Sequence, residues 1–249
     1  MKLEQDQILF VDGIDIRPTD ISYNEYIQCI QGLASATWHL NTEFFANIRD
    51  SRGRIKVMLL VRPDIFTSLG YQNPNARVRD NGIVLDWRTT YEDYRSSRIL
   101  RLIDGLLGKQ QKPEDLAKMK LGSAWDYYFP YTHPHLRIAE RIDNPFIEFL
   151  RYSFYRPRDI ISFLIILQRY SRTHKPDVLH FSKKIFERCQ SEYSDYLLGE
   201  VRDYLTFYHS NVNFDDLVAF FSLLEGRSYF DYRAPLKIHF SRSKSVITQ

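Results

Sequence analysis

Apolar positions in the first hundred residues follow two patterns: short unbroken runs, and a recurrence every three or four residues. Residues 7–12 form an apolar run closed by Asp12-Gly13, which predicts a buried parallel strand whose polar residue emerges at its carboxyl end. Asp15, Arg17 and Pro18 mark a loop. From Ser22 to Ile48 the apolar residues Tyr26, Ile30, Leu33, Ala34, Trp38, Leu40, Phe44, Phe45 and Ile48 keep helical spacing, predicting an amphipathic helix in one or two pieces. Ser22 and Glu25 stand at capping-box spacing at its start. Ser51-Arg52-Gly53 breaks it, and Ile55 to Val61 is a second apolar run ending at Arg62-Pro63. A strand, a crossover helix and a strand require a parallel sheet with a right-handed crossover. A short helix over Asp64 to Leu69, a third strand over Gly82 to Trp87, and a helix capped by Thr89 or Thr90 and running to about Leu107 complete this α/β part.

The pattern then changes. Residues 109–145 read as an irregular connection, polar at first and rich in Pro and His from Pro130 to Pro145, with one helix near Glu114 to Phe129. Beyond Pro145 the periodicity is helical, over Pro145 to Tyr155, Pro157 to Arg172, Leu179 to Leu205 with a break near Ser191, and Asn213 to Leu224. Lys237 to Phe240 reads as a strand, and residues 241–249 as a frayed tail. The fold class expected is therefore α/β: a partial parallel-sheet core over residues 1–108, the connection over 109–145, and a helical lid with a winged-helix-like domain over 146–240.

Composition narrows the partners. The chain has 249 residues, 44% hydrophobic and 15% aromatic, enough to bury one large core or two smaller ones. Net charge is only +3, with both signs interspersed, so nucleic acid is a partner that charge does not support. Helix 213–224 carries Asp215 and Asp216, the wrong sign for entering a DNA groove. The most apolar run, Ile160 to Leu167, is too short for a membrane span and the polar start is unlike a signal peptide, so a cytoplasmic protein without membrane partners is expected. Cys29 and Cys189, two isolated cysteines, read as buried thiols. His133 and His135 lack the further ligands of a zinc site. The aromatic stretches Trp125 to Tyr131 and Tyr152 to Tyr155 read as packing of the lid against the core.

Candidate chemistry sits at strand ends. In open parallel sheets ligands lie outside the carboxyl ends of the strands, and Asp12, Arg62 and Asp86-Trp87-Arg88 fall there. An apolar strand delivering Asp12 suits Mg²⁺ held by one carboxylate and by phosphates, and Asp15 could orient a water. From spacing alone, a plain Asp-Gly turn at the strand end is the favoured reading of Asp12. Arg62 could instead cap its strand and pair with Asp64 or Asp12. Arg156 and Arg158, around Pro157 and before Asp159, form an ordinary helix start where arginines bind a neighbouring carboxylate.

The string ILFVDGID (Ile8 to Asp15) resembles the Walker B strand of the STAND and NACHT-type division of AAA+-like P-loop ATPases. VMLLVRPDIF is similar to that division's sensor 1 strand, and RYSFYRPRDIISFL to the lid helix after the core. IDIRPTDISYNEYIQCIQGLA, IVLDWRTTY, LGSAWDYYFPY and RYSFYRPRDIISFL together resemble a family of bacterial P-loop ATPases often encoded near defence genes. The resemblance implies Asp12 and Asp15 as catalytic residues, Asp12 as the Mg²⁺ ligand, Arg62 as the γ-phosphate sensor, Arg156 or Arg158 as the lid sensor, and Mg-ATP as cofactor. It further implies an ATP-dependent molecular switch and a possible homo-oligomer. There is a departure: no GxxxxGK(S/T) occurs, and Gly105 to Lys109 has the wrong spacing. The chain is then the C-terminal portion of such an ATPase, unable to bind nucleotide without an N-terminal P-loop half, and position 13 is Gly13 where many ATPases place a glutamate. The alternative is a non-enzymatic interaction module, or a DNA-binding winged-helix module, that has lost its nucleotide site.

Overall fold

The computed structural model describes residues 3–18, 20–49, 52–111, 120–131, 144–177, 179–208 and 213–222. The chain divides into two compact units, one of residues 1–84 with 202–249, the other of residues 85–201. These units are cut elsewhere than at residues 108 and 145, where the sequence pattern changes. Helix dominates both, and a small parallel sheet supplies the α/β element.

In the first unit β1 (Gln7–Val11) and β2 (Ile55–Leu59) pair in parallel, Gln7 opposite Ile55 and Val11 opposite Leu59. The crossover is α1 (Tyr23–His39), with Ser22 and Glu25 forming the capping box reciprocally: the Ser22 hydroxyl accepts from the Glu25 amide, and the Glu25 carboxylate from that of Ser22. Beyond His39 the helix widens to a π turn over Leu40–Phe44 and ends in a 3-10 turn, Phe45–Asn47. The helix expected in one or two pieces is thus one helix with an irregular end. Asn41 in the π turn has a definite job. Its amide donates to the Val57 carbonyl and accepts from the Val57 amide, both at 2.8 Å, so a side chain stands in for a neighbouring strand on the outer edge of β2. Gly53 is required where β2 begins, because a Cβ there would come within 2.1 Å of the Gln5 carbonyl oxygen.

After β2, α2 (Pro63–Ser68) starts with proline in its first turn, and α3 (Pro74–Asn81) follows, a helix the apolar pattern does not announce. The core of this unit joins Tyr26, Ile27 and Ile30 of α1 to Ile65 and Leu69 and to Phe207. β1 contributes little to it: Ile8, Leu9 and Phe10 are each more than half exposed.

No third strand exists among the described residues. The expected strand Gly82 to Trp87 is irregular, Ile83 is 81% exposed, and the Asp86 carboxylate folds onto the Arg88 amide and guanidinium, closing a turn. An isolated apolar run cannot hold strand form without a ladder partner.

The second unit is helical. Ser97, rather than Thr89 or Thr90, caps α4 (Arg98–Gly108), accepting from the Leu100 amide; Thr90 closes the preceding turn with Asp93. The helix α5 (Ser123–Tyr128) begins at Gly122, which takes φ +91. α6 (Pro145–Arg151) is buried from Pro145 through Leu150, the mark of a central helix. α7 (Pro157–His174) and α8 (Lys183–Tyr208) follow, and α8 runs unbroken through Ser191. Around α6, Trp125 stacks on Phe129 at 4.2 Å and meets Phe146 and Phe149 edge-on, while Phe163 stacks on Tyr193. The Trp125 to Tyr131 stretch is therefore the core of its own unit. Cys189 is buried as expected, and Cys29, expected to be buried, is exposed on α1.

α9 (Phe214–Ser222) is the last described helix. The predicted strand Lys237 to Phe240 and the part of the expected winged-helix-like domain beyond Ser222, like His133 and His135, lie outside the described residues. No described helix is long and apolar enough to cross a membrane.

Candidate functional site

β1 and β2 end side by side, and their carboxyl ends open on a pocket of about 280 Å³ lined by Asp12, Asp15, Leu60, Val61, Arg62 and Pro63. Three of the sequence-predicted residues, Asp12, Asp15 and Arg62, are thus brought to one place. The local chain explains how. The last ladder bond, from the Leu60 amide to the Val11 carbonyl at 2.9 Å, fixes the two exits in register. Gly13 then turns the chain at φ +76, a conformation that disfavours any side chain, with the Ile16 amide donating to its carbonyl. Glycine at this position is what the turn needs, which is why no glutamate can occupy it cheaply. One Asp12 oxygen accepts from the Gly13 amide at 2.7 Å, and the carboxylate is otherwise exposed. The turn reading and the ligand reading of Asp12 therefore coexist in one geometry.

Arg62 holds Asp64 in a two-bond pair, 3.2 Å through Nε and 2.5 Å through Nη2. Its guanidinium also lies over the rings of Tyr204 and Phe207, 5.1 and 5.0 Å from their centroids. Tyr208 donates its hydroxyl to Asp64. Burial pushes the Asp64 carboxyl up, but the bonds from Arg62 and Tyr208 outweigh it and leave it below the usual range. Burial and the bond to Asp64 push the Tyr208 hydroxyl up, so it remains a donor. On the other side, Tyr26 donates to the Ile14 carbonyl at 2.5 Å, and burial, then the negative charge of Asp15, raises it to about 12. Arg17 donates to the carbonyls of Phe207 and Ile21, satisfying a carbonyl of the last turn of α8.

Sequence reasoning missed the α8 residues around Arg62. Asp64 was legible, two positions from Arg62, but Tyr208 is 144 residues away and carries no motif.

Arg156 and Arg158 belong to the second unit, where they take carboxylate partners. Arg156 grips the fully buried Asp159 with bonds of 3.0 and 2.7 Å and reaches Glu200 at 2.9 Å; Arg158 meets the same Glu200 at 2.6 Å. Asp159 also accepts from the Phe154 amide and the Tyr196 hydroxyl. This knot fastens α7 to α8, and Tyr155, between Phe154 and Arg156 in sequence, takes φ +56.

Among the described residues no group of three or more His, Cys, Asp or Glu could hold a metal unaided. A cation beside Asp12 would need phosphate and water for its remaining ligands, which is the normal habit of Mg²⁺. Comparison of the chain with family models, curated proteins and solved structures finds no match.

Proposed function

We propose that the chain supplies the strand-end half of a Mg-nucleotide site in an ATP-dependent switch of the P-loop, AAA+-like kind, the phosphate-binding loop coming from a segment outside it. The observation that carries the reading is the meeting of Asp12, Asp15 and Arg62 in one pocket at the carboxyl ends of two adjacent parallel strands. Asp12 has one oxygen committed to Gly13 and one to offer a hydrated cation. Asp15 is placed to orient water, and Arg62 to bind a terminal phosphate on exchanging Asp64 for it. Magnesium, when bound, would supply charge neutralisation at the phosphates. Arg156 and Arg158 are left out of phosphate binding in this proposal, because both are engaged with Asp159 and Glu200. In a switch of this kind, the phosphate competes with Asp64 and with the α8 aromatics for Arg62, so occupancy of the pocket is felt at the end of α8.

The test is the reading frame ahead of the Met1 codon, followed by ATPase assay of the full product. A strand followed by GxxxxGK(S/T), with Asp12→Asn abolishing hydrolysis, is the expected result. A gene without such a loop, or undiminished turnover in Asp12→Asn, removes the proposal.

A further inference from the structure

Arg62 cannot leave Asp64 without consequence for the carboxylate. The Asp64 side chain is only 29% exposed; Arg62 supplies two of its side-chain hydrogen bonds and the Tyr208 hydroxyl a third. A phosphate that took the guanidinium would leave a largely buried charge that water solvates only in part. The state of Asp64 after the exchange therefore weighs on how tightly Arg62 holds anything else. Tyr208 is kept in place by contacts that do not involve Arg62. Its ring lies 5.5 Å from that of Tyr23 on α1 and 5.2 Å from that of Tyr204, one turn earlier on α8. The neighbouring Phe207 carbonyl accepts from Arg17 at 3.0 Å, which anchors the last turn of the helix. Burial, then the bond to Asp64, keeps the Tyr208 hydroxyl protonated well above its ordinary range. Tyr208 thus stays available as a donor to Asp64 whichever partner Arg62 takes.

We propose that Tyr208 is a positioning residue of the nucleotide site: a stand-in donor that keeps Asp64 bonded when Arg62 turns to the terminal phosphate. The inference rests on the nucleotide reading above and adds to it a residue 144 positions from Asp64. A bond present in both states still favours one of them. With Arg62 in place, Asp64 already has two charge-assisted bonds and Tyr208 adds little. With Arg62 gone, the hydroxyl is the side-chain donor that remains, and a hydrogen bond to an otherwise unpaired carboxylate is the stronger one. Loss of the hydroxyl therefore weakens phosphate binding, whereas loss of the Asp64 charge frees Arg62 and strengthens it. The opposite sign would hold if Tyr208 served to lock Arg62 onto Asp64.

The experiment is calorimetric titration of the full product of the reading frame with a non-hydrolysable ATP analogue and with ADP, each with Mg²⁺. Tyr208→Phe should weaken the analogue about fivefold, the order of one net hydrogen bond, and leave ADP, which lacks the terminal phosphate, within about twofold. A merely structural role would lower both. Asp64→Asn should tighten the analogue, and in that background Tyr208→Phe should change nothing, because no charge is left for the hydroxyl to serve. Unchanged or tighter analogue binding in Tyr208→Phe, an equal loss for ADP, or the same loss in the Asp64→Asn background overturns this inference and leaves the nucleotide reading standing. A product that binds neither nucleotide removes both.

Discussion

Replacing Arg156 by alanine separates a scaffolding arginine from a sensing one. Asp159 is fully buried, and its carboxylate accepts from Arg156 twice, from the Phe154 amide and from the Tyr196 hydroxyl. Loss of Arg156 leaves two neutral donors to hold a buried charge. Breaking such a pair costs about 3–5 kcal/mol. The side chain of Arg156 is 32% exposed, so water can enter the space it leaves, and we expect the lower end, about 3 kcal/mol. Arg158 is the internal control: it is 63% exposed and meets only Glu200, so Arg158→Ala should cost no more than about 1 kcal/mol. The assay is urea unfolding followed by indole fluorescence, since Trp125 lies in the core of the same unit. With a slope of about 2 kcal/mol/M, Arg156→Ala moves the midpoint down by roughly 1.5 M and Arg158→Ala by less than about 0.5 M. Equal midpoints for Arg156→Ala and the parent chain would refute the reasoning and return Arg156 to the list of residues held ready for a ligand.

Glu148 on α6 gives a pH test. Burial, then the negative charge of Glu187, raises its carboxyl to about 7, against the opposing pull of Lys183 and Arg151. Because the folded value lies above the unfolded one, the stabilisation is complete below about pH 4.5 and is lost as pH rises toward 7. Over that window the melting temperature should fall, by the equivalent of about 3 kcal/mol, and Glu148→Gln should flatten the profile; an unchanged slope in the variant would assign the dependence elsewhere. Asp104 on α4 is the second test. It is buried and accepts from the Gly122 amide at 2.9 Å and the Trp125 amide at 2.8 Å, capping α5 from a distance. Asp104→Ala should cost about 1–3 kcal/mol in thermal unfolding, and exchange at the Trp125 amide should rise with it; a protected Trp125 amide would show that the cap is dispensable.

Much of the local structure was legible because it is encoded locally. The Ser22–Glu25 box, the Pro63 and Pro157 helix starts, the parallel β1–α1–β2 unit and the positions of Asp12 and Arg62 at strand ends all follow from residues within a few positions of one another. The resemblance that links Asp12, Asp15, Arg62, Arg156 and Arg158 comes from the sequence too, and supplies the nucleotide reading that the pocket is proposed to serve. Where residues close in sequence compete for roles, the local pattern leaves alternatives: Arg62 beside Asp64 suits a ligand or a structural pair, while Arg156 and Arg158 before Asp159 read first as a structural helix start.

Only the tertiary structure shows which partners these arginines take, since those partners are remote. Glu200 and Tyr196 make the Arg156 cluster a helix-to-helix fastening, and Tyr204, Phe207 and Tyr208 of α8 surround the Arg62–Asp64 pair from more than a hundred residues away. Gly82 to Trp87 has the composition of a strand, but a strand is a pairing rather than a pattern, and no neighbour among the described residues takes it up. The same principle distinguishes the edges of the sheet. Asn41 bonds both backbone groups of Val57 through a π turn that no periodicity forecasts, while Ile8 and Phe10, in a run that reads as fully buried, are more than half exposed and have no strand partner on their outer side among the described residues.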